Sequence, residues 1–435
     1  MARKVFISFL GTNNYVECYY SNDENYPVRF IQEALIRETC KDWTVNDHIY
    51  IFCTKEAESK NWVDNGQEKI WEEVEKVGLE TRLKTLNLTV PFEKVRIKEG
   101  FSVEEIWDIF DTVYDGTLKN GDQIYFDVTH AFRSIPLFST VLFNYSRFMK
   151  DTEIMAIKYG AFEKLGTAFE VRKKDLKDRG VAPILDLINI VRLQEYTEIA
   201  SNLVNFGKTK KLSTELQADN SDNRMLNFLC RSISELDEFI ATNQLSKIRE
   251  GNFIATFRTF VRPGSKQQPK PIKEILDKIK SETSAFGEKG SNINIETAIK
   301  WAKDHEMLVQ AYSLAEEYIV LRISEHFATM NPFGKDNRAR KSYREFISLV
   351  LGLPSEVIEK REFNGVLNGH DDIIMELWNE PFVISIRPEY EKIRKRRNSI
   401  IHGNGEFTYN DLDTDFYPIY NKCVEIINKF DSPCS

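Results

Sequence analysis

The segment QIYFDVTHAFRSIPL, residues 123–137, runs from a strand pattern through a short polar turn into a helix pattern. Gln123 to Val128 is rich in aromatic and β-branched residues, which is typical of a buried strand. Ile135 to Met149 has the pattern of a helix, and Pro136 suits its first turn. A strand that turns directly into a helix indicates one unit of a parallel α/β sheet.

The same alternation extends over about the first 175 residues. Four further runs predict strands: Lys4–Leu10, His48–Cys53, Lys94–Ile97 and Glu153–Tyr159. Between them, helices are predicted at Trp62–Val77 and at Ser102–Tyr114, which opens with the capping box Ser102-x-x-Glu105. The runs VFISFL and IYIFC are apolar almost throughout, as strands covered on both faces should be. The pattern predicts a Rossmann-like α/β domain over residues 1–180.

From about Pro183 the strand pattern gives way to helices, which predicts an all-α region over residues 181–435. Its predicted helices are Ile184–Asn205, Met307–Phe327, Lys341–Leu351 and Glu389–Ile401. Polar stretches at Lys208–Asn223 and Arg262–Pro271 predict loops, and residues 206–290 form a variable insert or linker.

Composition favours an ordinary globular protein of two or three domains. The 435 residues are 42% hydrophobic and 29% charged, with a net charge of -8 that gives no global attraction for nucleic acid. The six cysteines form no C-x-x-C pair, which favours reduced thiols. No signal-peptide pattern stands at the start and no apolar run approaches the roughly 20 residues of a membrane span. We therefore expect a cytoplasmic protein without a membrane partner.

The turn in residues 123–137 is the first candidate site, because ligands of open α/β folds bind at the carboxyl edge of the sheet. Thr129, Arg133 and Ser134, with the N–H groups that open the helix, suit an anion. The first strand ends in a second polar loop, Gly11 to Asn14, which faces the same pocket if the two strands are neighbours. Neither G-x-G-x-x-G nor a Walker motif is present. In the alternative interpretation, Ser134 is only a helix cap and Arg133 is solvated.

The second candidate site is RRNSIIHGNG, residues 396–405. Asn398 and His402 lie four residues apart and share one helix face, whereas Arg397 lies about 100° away from Asn398. Gly403 is expected to end the helix, which leaves His402 in the last turn, where the helix dipole favours a cation. An imidazole and a guanidinium at this position suit metal-free RNA cleavage.

A basic run precedes this motif and would attract an RNA backbone: Lys392, Arg394, Lys395, Arg396 and Arg397. Alternatively, His402 is a cap and the run is a solvated face. Other candidates are weaker: His370-Asp371-Asp372 predicts a turn, and Glu316-Glu317 predicts the polar edge of a core helix. His305-Glu306 lacks the second histidine of a metal-binding H-E-x-x-H.

The chain resembles the type III CRISPR-associated ribonucleases that join an N-terminal CARF domain to a C-terminal HEPN domain. The resemblance is carried by three segments that occur in this order: FLGTNNY, YFDVTHAFRSIPL and RNSIIHG. LVQAYSLAEEYIVLRI adds further similarity, and the resemblance covers most of the chain. It implies a CARF domain that dimerises and binds cyclic oligoadenylate, most often the cyclic tetra-adenylate, and a HEPN domain that cleaves single-stranded RNA without metal or other cofactor.

The resemblance also assigns roles to residues of this sequence. It implies that Arg397, Asn398 and His402 are catalytic, with two copies forming one site in a homodimer or a higher oligomer. The implied activator pocket is formed by Gly11, Thr12, Asn13, Thr129, His130, Phe132 and Arg133. Ala131 departs from the glycine that related sequences often carry.

Two further functions stay open. The chain could be a nucleotide-sensing regulator whose helical region binds a partner or nucleic acid without cutting it. The front domain could also degrade the ring nucleotide itself, with Thr129 or His130 positioning a 2′-hydroxyl. Ring size and RNA base preference do not follow from the sequence.

Overall fold

The computed structural model describes residues 2–21, 23–66, 76–130, 135–208, 234–255, 270–334 and 337–431. The chain divides into two compact units, Met1–Gln194 and Glu195–Ser435. The first contains the strands and the second is helical, so the predicted order of an α/β region followed by a helical region is confirmed.

The first unit is built on a six-stranded sheet with the order β5-β4-β1-β6-β7-β9. Nine strands occur in the described part of this unit: β1 Lys4–Leu10, β2 Cys18–Tyr20, β3 Asp23–Val28, β4 His48–Cys53, β5 Phe92–Arg96, β6 Gln123–Asp127, β7 Glu153–Gly160, β8 Val181–Ala182 and β9 Ile184–Asp186. The neighbours from β5 to β7 are parallel, and β9 runs antiparallel to β7. All five predicted strands are present, and they form the five parallel strands of this sheet.

Helices cover both faces of this sheet, as the apolar strands predict. The α-helices of five or more residues are α1 Ile31–Thr39, α2 Leu79–Thr85, α3 Val103–Thr117, α4 Ile135–Lys150, α5 Ala168–Arg172 and α6 Ile188–Phe206. Successive β1 side chains point to opposite faces. Phe6 belongs to a core cluster with Leu35 of α1, whereas Ile7 belongs to another with Val113 of α3 and Phe143 of α4. Two apolar layers therefore enclose the strand.

The structure departs from the predicted elements in three places. The helix predicted at Trp62–Val77 is wrong in most of its described part. Trp62 ends a π-helix, residues 63–66 and 76–77 are not helical, and residues 67–75 lie outside the described part. Residues 184–186 form β9 rather than the start of a helix. A small sheet, β3-β2-β8, was not predicted because its strands are short and β3 is mostly polar and exposed.

The second unit consists of helices around one apolar core. Its helices with described bounds are α7 Leu245–Glu250, α8 Lys270–Glu282, α9 Ile293–Asp304, α10 Leu308–His326, α11 Asn337–Leu351, α12 Ser355–Lys360, α13 Asp371–Asn379, α14 Pro381–His402 and α15 Tyr409–Asp431. Residues 234–241 and 252–255 are also helical. The central helix is α10, which contacts α9, α11, α14 and α15.

One predicted turn and two predicted loops of this unit differ from the structure or lie largely outside its described part. α13 begins at Asp371, so His370-Asp371-Asp372 opens a helix rather than forming a simple turn. The polar loop at Arg262–Pro271 ends in α8, which starts at Lys270, while residues 262–269 lie outside the described part. The loop predicted at Lys208–Asn223 also lies outside it, apart from Lys208. No helix with described coordinates has the length and apolar character needed to cross a bilayer.

Candidate functional site

Helix α14 ends as the sequence predicts. Its last helical residue is His402, and Gly403 follows in the left-handed region with a φ of 61°. A side chain at Gly403 would be strained by this φ although it would meet no atom within 4 Å. The His402 side chain is exposed at the helix end.

The Arg397 guanidinium is fixed by two acceptors. Its Nε donates a hydrogen bond to Glu316 Oε2 at 2.7 Å, and its Nη1 donates to Asn398 Oδ1 at 2.9 Å. A guanidinium has five N–H donors, so three remain for a ligand once these two are used. The arrangement orients the arginine without consuming it, and it gives Asn398 the role of holding Arg397.

Glu316 is the residue of this site that the sequence prediction missed. It was expected on the polar edge of α10, but its exposed fraction is 3%. Its Oε1 also accepts a hydrogen bond from the Tyr390 hydroxyl at 3.3 Å. Burial and the neighbouring Glu316 raise the pKa of Tyr390, which keeps the hydroxyl protonated as a donor. The sequence did indicate that Glu316 is buried, because Tyr312 and Val320 lie four residues before and after it, on the same buried face of the helix.

The turn after α14 is tied back to the helix by Asn404. Its Oδ1 accepts hydrogen bonds from the buried Ser399 Oγ at 2.6 Å and from Glu406 N at 3.2 Å. The HGNG segment is therefore anchored just beyond His402, which explains part of its unusual composition.

The basic run is less positive than the sequence suggests, because four of its five cations face carboxylates. These pairs are Lys392–Glu389, Lys395–Glu406, Arg396–Asp415 and Arg397–Glu316. Within the described part of the chain, Arg394 has no carboxylate partner. Its guanidinium packs over Gly352, where a Cβ atom would collide with it. Arg394, Asn398 and His402 follow at steps of four and share one face of α14.

In the first unit, the two polar loops lie at the same edge of the sheet. β1 and β6 are parallel neighbours, with Ser8 opposite Asp127. The condition set by the sequence is met, and the loops after Leu10 and after Asp127 extend from adjacent strand ends. Because β4 lies on the other side of β1, this is also the point where the strand order reverses.

Asp127 organises the turn that follows β6. This carboxylate is fully buried, and it accepts hydrogen bonds from Ser8 Oγ at 2.7 Å and from Thr129 N at 3.0 Å. Burial raises its pKa. Thr129 Oγ1 in turn accepts a hydrogen bond from Gly160 N at 2.9 Å. These contacts connect β1, β6 and β7, so Thr129 supports the edge as well as lining it.

The loop after β1 is held by Tyr15 and Asn61. Gly11 N donates to the Tyr15 hydroxyl at 3.0 Å, while Asn61 Nδ2 donates to the carbonyls of Gly11 and Asn13 at 2.8 and 3.0 Å. The Tyr15 ring packs edge-on against His130, with 4.5 Å between centroids. Burial lowers the pKa of His130 to about 4, so the imidazole is neutral near pH 7.

The predicted activator residues are therefore only partly placed. One edge of the sheet brings five of them together: Gly11, Thr12, Asn13, Thr129 and His130. Thr12 is half-buried there and Asn13 is exposed. Phe132 and Arg133 lie outside the described residues. Asn61, which is almost fully buried, was missed because nothing in its sequence neighbourhood distinguishes it from a surface asparagine. Among the described residues, no group of three His, Cys, Asp or Glu side chains is placed to hold a metal ion.

Comparison with known proteins gives one informative similarity. No family model matches the chain. A curated protein of the archaeon Methanocaldococcus jannaschii, named as a CRISPR-associated protein, is 24% identical to it over 340 residues. The alignment covers 76% of this chain and 45% of the archaeal protein, so the chain spans less than half the length of that relative.

Proposed function

We propose that this protein is a cyclic-oligoadenylate-activated endoribonuclease that cleaves single-stranded RNA in CRISPR antiviral defence. The CRISPR-associated role is supported by the similarity to the archaeal protein. The nuclease assignment is supported by one observation above all. Arg397 is oriented by a buried carboxylate and by Asn398, on the same helix end that exposes His402.

The chemistry follows from these two groups. His402 accepts the proton of a ribose 2′-hydroxyl, whose oxygen attacks the adjacent phosphorus. The bond from phosphorus to the 5′-oxygen breaks, and the His402 imidazolium formed by this proton transfer donates its proton to that oxygen. The remaining N–H donors of Arg397 stabilise the charge on the phosphorane. The products are a 2′,3′-cyclic phosphate and a free 5′-hydroxyl, without a metal ion in any step.

The site we propose is shared by two chains. Arg397 and His402 are five residues apart, which places them about 140° apart around an ideal helix. A two-fold partner can supply the group that one helix cannot direct to the same phosphate. Exposed apolar side chains on α3 and α4 support such a homodimer, because apolar groups that lie together at the surface mark interaction sites, and the Trp107 and Tyr145 rings both contact Phe110. The exposed side chains are Val103, Trp107, Val141, Tyr145, Phe148 and Met149.

The proposed activator site is the strand edge formed by Gly11, Thr12, Asn13, Thr129 and His130. The proposal also assigns Phe132 and Arg133 to it, and these two lie outside the described residues. Neutral His130 would hydrogen-bond an adenine or a ribose rather than pair with phosphate. Ring binding then favours the arrangement of the helical units that can cleave RNA.

The decisive experiment is cleavage of a labelled single-stranded RNA in EDTA, with three-, four- and six-membered cyclic oligoadenylates in turn. The wild-type chain should cleave RNA only with one ring, and His402→Ala should lose cleavage while it still binds that ring. Cleavage that survives in His402→Ala, or that depends on added divalent metal, would contradict the proposal.

A second candidate function has an observation of its own. The pairing of Lys392, Lys395, Arg396 and Arg397 with carboxylates is also what a structural helix would show. In that case the chain is a nucleotide-sensing regulator whose helical unit binds a partner without cutting RNA. Ring binding without RNA cleavage under any of the conditions above would favour this function.

A further inference from the structure

A second polar pocket lies in the first unit, beside the loop that follows β1. Its volume is about 240 Å³. Among the residues that the structure describes, its lining includes the carboxylate of Glu17 and five cationic side chains: Arg29, Lys76, Arg82, Arg172 and Arg179. The chain as a whole carries a net charge of -8, so this concentration of positive charge is local. Such a cavity attracts a multivalent anion.

The best-defined cation of this pocket is Arg179. Its Nη1 donates to the Glu17 carbonyl at 2.7 Å, and its Nε donates to the Lys174 carbonyl at 3.1 Å. Both acceptors are backbone oxygens, so they orient the guanidinium without neutralising its charge. An arginine held in this way is ready to bind a phosphate with its remaining N–H groups.

The Arg82 guanidinium lies near two carboxylates. Its Nη1 lies 3.4 Å from Glu17 Oε1 and 3.4 Å from Glu33 Oε2. These separations exceed the 2.7 to 2.9 Å of a tight charge-assisted hydrogen bond. Burial raises the pKa of Glu33, and Arg82 opposes that shift. Arg82 therefore balances buried Glu33 and still contributes to the field of the pocket.

The pocket is separate from the proposed activator edge. Its described lining includes Asn14 and Tyr15 but none of the residues of that edge, which are Gly11, Thr12, Asn13, Thr129 and His130. Its volume is below the roughly 300 to 1,000 Å³ of sites that enclose drug-sized ligands, so the pocket is too small to enclose a whole cyclic oligonucleotide. A small anion with two or more phosphates matches both the size and the charge.

We propose that this pocket binds a diphosphate group, either as a free anion or as the phosphate end of a nucleotide. Tyr15 connects the pocket with the strand edge, because its ring packs against His130 and its hydroxyl accepts the Gly11 N–H. A bound diphosphate would therefore stabilise the loop that carries Gly11, Thr12 and Asn13.

The probe is inorganic pyrophosphate, titrated calorimetrically into the full chain at constant ionic strength without divalent metal. Arg179→Gln should weaken binding about tenfold or more, since it removes a charge-assisted contact. Arg179→Lys should retain part of the affinity. Arg37→Gln is the matched control, because Arg37 pairs with Asp23 away from the pocket and its loss should leave binding unchanged. If Arg179→Gln does not fold, Arg172→Gln on the short helix α5 serves the same purpose.

Three outcomes would overturn the proposal. The first is that pyrophosphate binds no better than sulfate. The second is that Arg37→Gln weakens binding as much as Arg179→Gln does. The third is that cyclic tetra-adenylate displaces pyrophosphate competitively. ATP as a second titrant separates the sources, since tighter binding than pyrophosphate indicates a nucleotide. None of these readouts depends on RNA cleavage, so this proposal and the nuclease proposal can fail independently.

Discussion

At the scale of single residues, Glu316 determines how Arg397 is presented. A carboxylate that is 3% exposed needs a cationic or hydrogen-bonding partner, and the Arg397 Nε–H provides it. The same contact fixes the orientation of the Arg397 guanidinium. Stability and the proposed catalysis therefore depend on one hydrogen bond.

Arg397→Lys should not behave as a conservative change. A lysine ammonium cannot satisfy Glu316 and Asn398 in the fork geometry of a guanidinium, so we expect RNA cleavage to fall about 100-fold or more. The free energy of unfolding should drop by about 1 kcal/mol. Arg396→Lys is the matched control on the same helix, since Arg396 has its own carboxylate in Asp415. Equal losses of cleavage in both variants would argue against a special role for Arg397.

His130 should make the folded chain sensitive to mild acid. Its folded pKa of about 4 is below the value of about 6.5 in an unfolded chain. The unfolded state thus binds more protons between these values, and stability falls as the pH drops from about 6.5 towards 4. His130→Gln should unfold with a shallower dependence in this range, as measured by urea denaturation at several pH values. Buried Asp127 has the opposite sign but is common to both proteins, so it cancels in the difference. Identical pH profiles would contradict the prediction.

At the scale of secondary structure elements, the parallel strands were predictable because burial on both faces leaves an apolar run in the sequence. β1 and β4 show this most clearly, since nearly all of their residues are buried. β2, β8 and β9 were not predictable, because strands of two or three residues carry no period of their own and are specified by their neighbours. β3 was missed because its residues are mostly polar and exposed.

Gly160 tests how tightly β7 packs against α1. A Cβ atom at Gly160 would lie 2.5 Å from Ile31 Cδ1 and 2.7 Å from Ile31 Cγ1. Ile31 is fully buried, so Gly160→Ala should cost about 1 to 3 kcal/mol in the free energy of unfolding. Gly116→Ala is the control, because it lies exposed in α3 with nothing within 4 Å and should stabilise the chain by about 0.5 to 1 kcal/mol. Denaturant titration of both variants measures the contrast, and an unchanged midpoint for Gly160→Ala would show that Ile31 moves aside freely.

At the scale of the whole molecule, the sequence predicted the order of an α/β unit and a helical unit, and it offered candidate site residues in each. It could not predict the partners of those residues. The distance in sequence between Arg397 and Glu316, and between Gly11 and Asn61, is too large for any local pattern to reveal the contact. The charge of the Lys392–Arg397 run was overestimated for the same reason, since most of its carboxylate partners belong to other segments.

The central claim is that Arg397 of one chain and His402 of another act on the same RNA phosphate. It is tested most directly by mixing Arg397→Ala and His402→Ala proteins after subunit exchange and measuring ring-stimulated RNA cleavage. Each variant alone should be inactive. In an equal mixture, half of the dimers are mixed, and each mixed dimer keeps one Arg397 and one His402 in its composite site. Activity should therefore recover to at most about half of the wild-type value. A mixture that exchanges subunits and stays as inactive as its components would contradict the shared site.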